Sequence, residues 1–298
     1  MSKNIKNTKD TKDIKHIKDT KHTKDAKQNL ETLKLGPRLH TIASYVPQGA
    51  SLGDIGTDHA YLPVYLMQKG IITKAIGVDI HQGPYTAACQ TVSEYGLKDK
   101  IEVRLGDGLA PLAPGEVDTL TIAGMGGTTI LEILNSNTSV MQEVSALILQ
   151  PQGGESRVRR ELLVQGWKLW DECLVCEEGR VYTIICLSKT KGCSLKDLET
   201  QIAGLGWAEL ADCRPPDSNL EEKTRLENLL SKVIWQLGPL ILLKKDQHLV
   251  GILQETLANL HKVIKEMSKT ERETVRKQAN EKRQEIKILE GIRTWLSQ

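Results

Sequence analysis

The sequence predicts an α/β fold: a parallel sheet with helices on both faces, closed by an antiparallel hairpin and followed by an α-helical coiled-coil hairpin. Three observations carry this. Between Leu33 and Ser188, apolar runs of strand type alternate with segments of helical spacing. The alternation stops at 167–189, where two strand-like runs meet at Glu178-Gly179 with no helix between them. Near the C-terminus, Leu249, Leu253, Leu257, Leu260, Ile264 and Met267 recur at three- and four-residue spacing, as do Ile286, Leu289, Ile292 and Trp295, among Lys, Glu, Arg and Gln.

The elements follow in order. "LGPRLHTIASYV" has helical spacing of Leu39, Ile42, Ala43 and Val46, and "ASLGDIG" is a strand. "AYLPVYLMQKG" is a helix ending at Gly70, "KAIGVDI" a buried strand, and "PYTAACQTVSEYGL" a helix stopping at Gly96. "IEVRLGD" and "VDTLTIAG" are the third and fourth strands, and "TTILEILNS" is a helix. "SALILQP" is the fifth strand, and "GESRVRRELLVQGW" a helix stopping at Gly166. Five βα repeats are expected, packed as a parallel sheet between helices.

At 298 residues the chain has room for one substantial domain and an accessory one. Residues 1–30 place Lys at every third position over much of their length and offer almost nothing apolar to bury, so a disordered tail is expected. This tail lacks the arginines of a transit peptide. Residues 31–190 form the sheet domain. Residues 191–240, with "GLGWAELADCRPPDSN", read as a linker or inserted element. Residues 241–298 form the coiled-coil hairpin.

A formal charge of +2 excludes a polycation, so any nucleic-acid contact must come from a local patch. Six scattered cysteines read as reduced thiols, and Cys173-x-x-Cys176 lacks the second ligand pair of a zinc site, so no metal is expected. No apolar stretch approaches the roughly 18–20 residues needed to cross a bilayer, and the expected location is the cytoplasm, off the membrane.

The chemistry gathers at the strand ends, where an open α/β sheet takes a nucleotide-like ligand. After strand one, Gly53 and Gly56 allow close backbone approach, but Asp54 and Asp58 supply carboxylates where a pyrophosphate would need bare N–H groups. S-adenosylmethionine has no phosphate and carries an ammonium and a sulfonium, so an acidic turn suits it. Asp79 ends strand two and can accept both ribose hydroxyls. Asp107, between Gly106 and Gly108, can accept from an adenine amino group. "IAGMGG" at 122–127 brings backbone close to the ligand, and Gln150, Pro151 and Gln152 end strand five with amides able to orient a base.

The stretches "DIGTDHAYLP", "DGLAPL", "TIAGMGG" and "LILQP", preceded by "LKLGPRLHTIASYVPQGA", resemble the bacterial tRNA (adenine(22)-N1)-methyltransferase family (TrmK), over about Leu33 to Leu187 and loosely into the C-terminal hairpin. The resemblance implies a class I (Rossmann-like) methyltransferase domain using S-adenosylmethionine to methylate N1 of an adenine in tRNA. It also implies that Asp54, Gly56, Asp58, Asp79, Asp107, Ala123 and Gly124 surround the cofactor, while family members commonly carry Asn where this chain has Gln152. Their neighbours Thr57, His59, Ile80, Gly108, Met125 and Gly126 are expected beside the cofactor too, and Asp58, Gln150, Pro151 and Gln152 at the reacting base.

Arg157, Arg159 and Arg160 open the helix after strand five and are expected on RNA phosphates. The coiled coil is expected to contact tRNA or pack on the catalytic domain. Tyr61 reads as a core residue of its helix that is also a candidate for stacking on the base, and His59 reads as a structural turn residue. Two other readings stay open: methylation of another RNA or a protein, and a non-catalytic adaptor that binds the cofactor.

Overall fold

The computed structural model describes residues 32–204, 220–269 and 272–297. The Lys-rich segment 1–30 and almost all of the Gly- and Pro-rich stretch 204–219 lie outside them. Five strands run parallel: β1 (Ala50–Ile55), β2 (Ile72–Asp79), β3 (Ile101–Leu105), β4 (Thr119–Met125) and β5 (Ala146–Pro151). β6 (Lys168–Glu177) and β7 (Arg180–Ser188) form the antiparallel hairpin, turning at Glu178 and Gly179, both with positive φ, as a type I′ turn requires. The sheet order is β3-β2-β1-β4-β5-β7-β6, so the chain builds outward from β1 in one direction and then returns to build in the other.

Apolar residues of α1 (Pro37–Tyr45), α2 (Tyr61–Gln68) and α3 (Gln82–Glu94) pack into one buried cluster with Leu52, Ala75 and Ile148 of the sheet. Those of α4 (Gly127–Ser136), α5 (Thr138–Glu143) and α6 (Glu155–Val164) pack into a second with Ile55, Leu120 and Leu147. Successive residues of one strand, such as Leu147 and Ile148, thus feed opposite cores, as the strand period demands. Four βα repeats are present rather than five: β3 passes to β4 without a helix, through a segment broken by Gly106, Gly108, Pro111, Pro114 and Gly115.

The segment expected as a linker carries α7 (Leu195–Gly204) and α8 (Leu220–Leu237), followed by α9 (Pro239–Leu243). Val233, Ile234, Ile241 and Leu242 of α8 and α9 join one core with α10 (Leu249–Met267), α11 (Glu273–Leu296) and Leu174 of β6. α10 and α11 pair through Leu253, Leu257 and Leu260 against Ile286, Leu289 and Ile292. The helical region is therefore seated on the hairpin side of the sheet. Among the described residues no helix is long and apolar enough to cross a membrane.

A buried ion pair fastens that seat. Arg159 of α6 and Glu172 of β6 are both 0% exposed and meet at 2.6 Å. Arg159 Nη1 donates to the Trp235 carbonyl at 3.0 Å, and Glu172 Oε1 accepts from the Leu240 N–H at 2.7 Å, at the start of α9. Arg159 Nη2 has no hydrogen-bond partner among the described residues. Gly238, with φ +102, lets the chain turn here, since a Cβ would sit 2.8 Å from that nitrogen. Arg159 is thus closed to RNA, against the expectation from sequence.

The sheet edges are also finished. On β3, Arg104 bonds Glu102 at 2.9 Å and Glu116 at 2.7 Å, and its guanidinium, with the Ala113 N–H, holds the Glu116 carboxyl down at about 2. On β6, the Leu169 N–H donates to the Cys193 carbonyl and the Leu174 N–H to Asp246.

Removing one partner of a buried pair strands the other charge, which typically costs about 3–5 kcal/mol. Arg159→Met should lower the denaturant midpoint accordingly, while Arg159→Met/Glu172→Leu recovers much of the loss. Urea unfolding of the three proteins checks this.

Candidate functional site

The turn after β1 is shaped by its backbone. Gly56 and Thr57 donate their N–H groups to the Val78 carbonyl at 2.8 and 3.0 Å, fixing the turn on β2. The chain then passes through left-handed conformations at Gly56 (φ +74), Asp58 (φ +53) and Ala60 (φ +54) before α2 begins. Aspartate tolerates this region; alanine does so at a cost of order 1–3 kcal/mol, which the surrounding structure must hold. A Cβ on Gly56 would lie 2.3 Å from Met125 Cε, so the end of the Met125 side chain fills the space that the glycine leaves open.

Asp54, at 7% exposed, accepts from Thr121 Oγ1 at 2.6 Å and Thr57 Oγ1 at 2.7 Å. Burial pushes its pKa up; the two hydroxyl bonds oppose the rise, and the charge of nearby Asp79 adds to it. Asp79 is also buried and uses both oxygens, accepting from the Asp58 N–H at 3.1 Å and the His81 N–H at 3.0 Å. The carboxylate of β2 thereby holds the turn of β1.

Beyond the carboxyl ends of β1, β2 and β4, where the strand order reverses, two adjoining lobes share Gly56, Ala123 and Gly124. The first, about 240 Å³, is lined by Arg38, Asp54, Thr57, Asp58, His59 and Tyr61 among others. The second, about 380 Å³, is lined by Asp79, Ile80, His81, Asp107, Gly108 and Met125 among others. Of the cofactor residues expected from sequence, all but Gly126 line these lobes; Gly126 precedes α4 as its N-cap. The donor set is acidic, the glycines leave room, and Arg38 is the only Lys or Arg among the residues lining the two lobes, which fits a cationic adenosyl ligand.

The expected base-facing residues separate. Gln150 is 0% exposed and its amide is spent inside the protein: Oε1 accepts from Arg38 Nη1 at 3.0 Å and the Gly124 N–H at 3.2 Å, and Nε2 donates to the Pro151 carbonyl at 2.9 Å. Gln150 therefore braces the β4 end instead of reading a base, and Pro151 is buried beside it. Gln152 is exposed, its amide beside Gly124 at the rim of the cleft.

Tyr61 is 42% exposed, so it is no core residue, and its ring stacks on His59 with centroids 5.2 Å apart and planes at 11°. Arg157 is exposed and held by Glu161 at 2.6 Å, and Arg160 is exposed over the Trp235 ring. Arg38 escaped sequence reading: it sits far from the strand-end motifs, and only the fold brings α1 to the cleft.

Comparison with known proteins follows the same lines. The methyltransferase-domain family matches residues 35–185. A Bacillus subtilis relative named tRNA (adenine(22)-N(1))-methyltransferase is 40% identical over 156 residues, 52% of this chain and 66% of that protein. The crystal structure of a B. subtilis M1A22 tRNA methyltransferase, TrmK, superposes with a TM-score of 0.68 at 28% identity, covering 88% of this chain and 99% of that one. A putative Streptococcus pneumoniae tRNA (m1A22) methyltransferase solved with S-adenosyl-L-methionine gives 0.65 at 29%, covering 86% and 98%.

Because the folded-state pKa of Asp54 lies above its ordinary value near 3.8, folding favours the protonated form. The stability Asp54 contributes is present in acid and lost as pH rises through that folded value. Asp54→Asn should therefore melt at a higher temperature than the wild type in ligand-free protein at pH 7, with the gap closing towards pH 4. Calorimetric melting across that range tests it.

Proposed function

The chain belongs to the methyltransferase family and groups with its tRNA (adenine(22)-N1) members, and on that premise we propose that it methylates N1 of adenine 22 in tRNA with S-adenosylmethionine. The carrying observation is the cleft itself: carboxylates in place of bare N–H donors at the β1 turn, joined through Gly56, Ala123 and Gly124 to a second acidic lobe. S-adenosylmethionine, when bound, supplies a methyl group on a positively charged sulfur. Asp79 takes the ribose hydroxyls, Asp107 the adenine amino group, and Asp54 and Asp58 face the cationic end.

Adenine N1 carries a lone pair at neutral pH, so orientation does most of the work; well-placed partners gain of order 7–11 kcal/mol. N1 lies on the Watson–Crick edge, so the base must leave any pair before it can react. The exposed Tyr61 ring, backed by His59, offers that base a stacking face at the mouth of the acidic lobe. Asp58 stands beside it, exposed, to offset the positive charge that grows on the base. Gln152 at the rim is placed to meet an edge of the base, and Arg157 and Arg160 meet RNA phosphates. The exposed lysines and arginines of the α10–α11 hairpin, which we read as a coiled coil, extend that contact along the tRNA, and the reaction belongs in the cytoplasm.

Incubation with unmodified tRNA and S-adenosylmethionine should yield 1-methyladenosine by nucleoside mass spectrometry. Its absence with cofactor bound would favour another acceptor, and no cofactor binding would favour an adaptor. Asp54→Ala should weaken cofactor binding more than tenfold by calorimetry. Tyr61→Ala should lower kcat/KM for tRNA about 10- to 100-fold, the range of one lost base stack, with cofactor affinity unchanged.

A further inference from the structure

Arg38 is the only Lys or Arg among the residues lining the acidic lobe. Proximity to the carboxylates there does not account for its position: among the described residues it bonds neither Asp54 nor Asp58. It is fixed from behind instead. Its N–H and Nε donate to the two oxygens of Glu177 at 3.1 and 3.3 Å, Nη1 donates to Gln150 Oε1 at 3.0 Å, and the guanidinium lies 5.5 Å from the centre of the Tyr182 ring. Nη2 makes no hydrogen bond among the described residues. A guanidinium held on three sides with one nitrogen left over is a pre-organised receptor for an oxyanion.

The lobe therefore presents two carboxylates and one guanidinium. The amino-acid end of S-adenosylmethionine presents two cations, the ammonium and the sulfonium, and one anion, the α-carboxylate. We propose that Arg38 binds the α-carboxylate of the cofactor, making the acidic lobe a receptor for a zwitterion rather than a generally negative pit. The proposal rests on the cofactor assignment above and adds a residue and a discrimination to it. With Arg38 present, a ligand bearing only the two cations meets an unmatched positive charge; this penalises decarboxylated S-adenosylmethionine, which keeps both cations and lacks the anion. Gln150 gains a role as well, since its one carbonyl oxygen sets Arg38 and the Gly124 N–H relative to each other.

Calorimetric titration of the full chain with S-adenosylmethionine and with decarboxylated S-adenosylmethionine, for the wild type, Arg38→Met and Arg38→Lys, forms the test. The wild type should bind S-adenosylmethionine at least tenfold tighter than the decarboxylated compound. Arg38→Met should lose most of that preference, binding the two within about twofold of each other, while its affinity for the decarboxylated compound stays at or above the wild-type value; Arg38→Lys should fall between. Equal losses for both ligands would assign Arg38 a structural role and overturn the proposal. Unchanged S-adenosylmethionine affinity with a raised KM for tRNA would overturn it too, placing an RNA phosphate at Nη2. Failure of the wild type to bind S-adenosylmethionine at all is a separate result, which would sink the cofactor assignment and this proposal with it.

Discussion

A carboxylate buried where the sheet reverses direction is the constraint from which the site follows. Asp54 lies on β1 between the two halves of the sheet, and taking it out of water has a cost that only hydrogen bonds or an arriving cation can offset. Thr121 on β4 and Thr57 in the turn each give it one hydroxyl, which ties the first strand of one half to the first strand of the other. Asp79 then ties the turn to β2 through the Asp58 N–H. Three strands and one turn are thus registered by two carboxylates, and the same two groups remain acidic walls of the cleft. Burial holds the Asp54 pKa up, so its charge is carried at a cost that an arriving cation would offset.

Much of this was legible in the sequence because it depends on local rules. The strand runs, the glycines ending helices at Gly70, Gly96 and Gly166, and the Glu178-Gly179 turn are dictated within a few residues. The acidic turn was legible for the same reason: its carboxylates sit beside a glycine at the end of a strand. The apolar spacing of Leu226, Leu229, Leu230, Val233 and Leu237 in α8 was equally present, but the neighbouring Gly- and Pro-rich stretch drew the whole segment towards a linker reading.

What could not be read depends on contacts distant in sequence. Arg159 and Arg160 are adjacent and alike, yet one is sealed against Glu172, 13 residues on, and the other lies over Trp235 at the surface. Helical phase separates them, but only the position of the later helices says which phase is inside. Gln150 and Gln152 stand two apart, where a continuing strand would put them on one face, but β5 ends at Pro151 and Gln152 leaves the sheet for the rim. Arg38 comes to the cleft through Glu177, 139 residues away. No spacing rule reaches that far.

The treatment of the sheet edges has a consequence for how copies of this chain behave when crowded. An open sheet normally offers two rows of unpaired backbone groups on which another chain can add a strand. Here β3 carries Arg104 clamped between Glu102 and Glu116, charges that an added strand would have to displace, and on β6 the donors of Leu169 and Leu174 are already taken. Both margins therefore resist templating. The sheet gains some of the aggregation resistance of a closed barrel while keeping the open crevice that a barrel would have to give up.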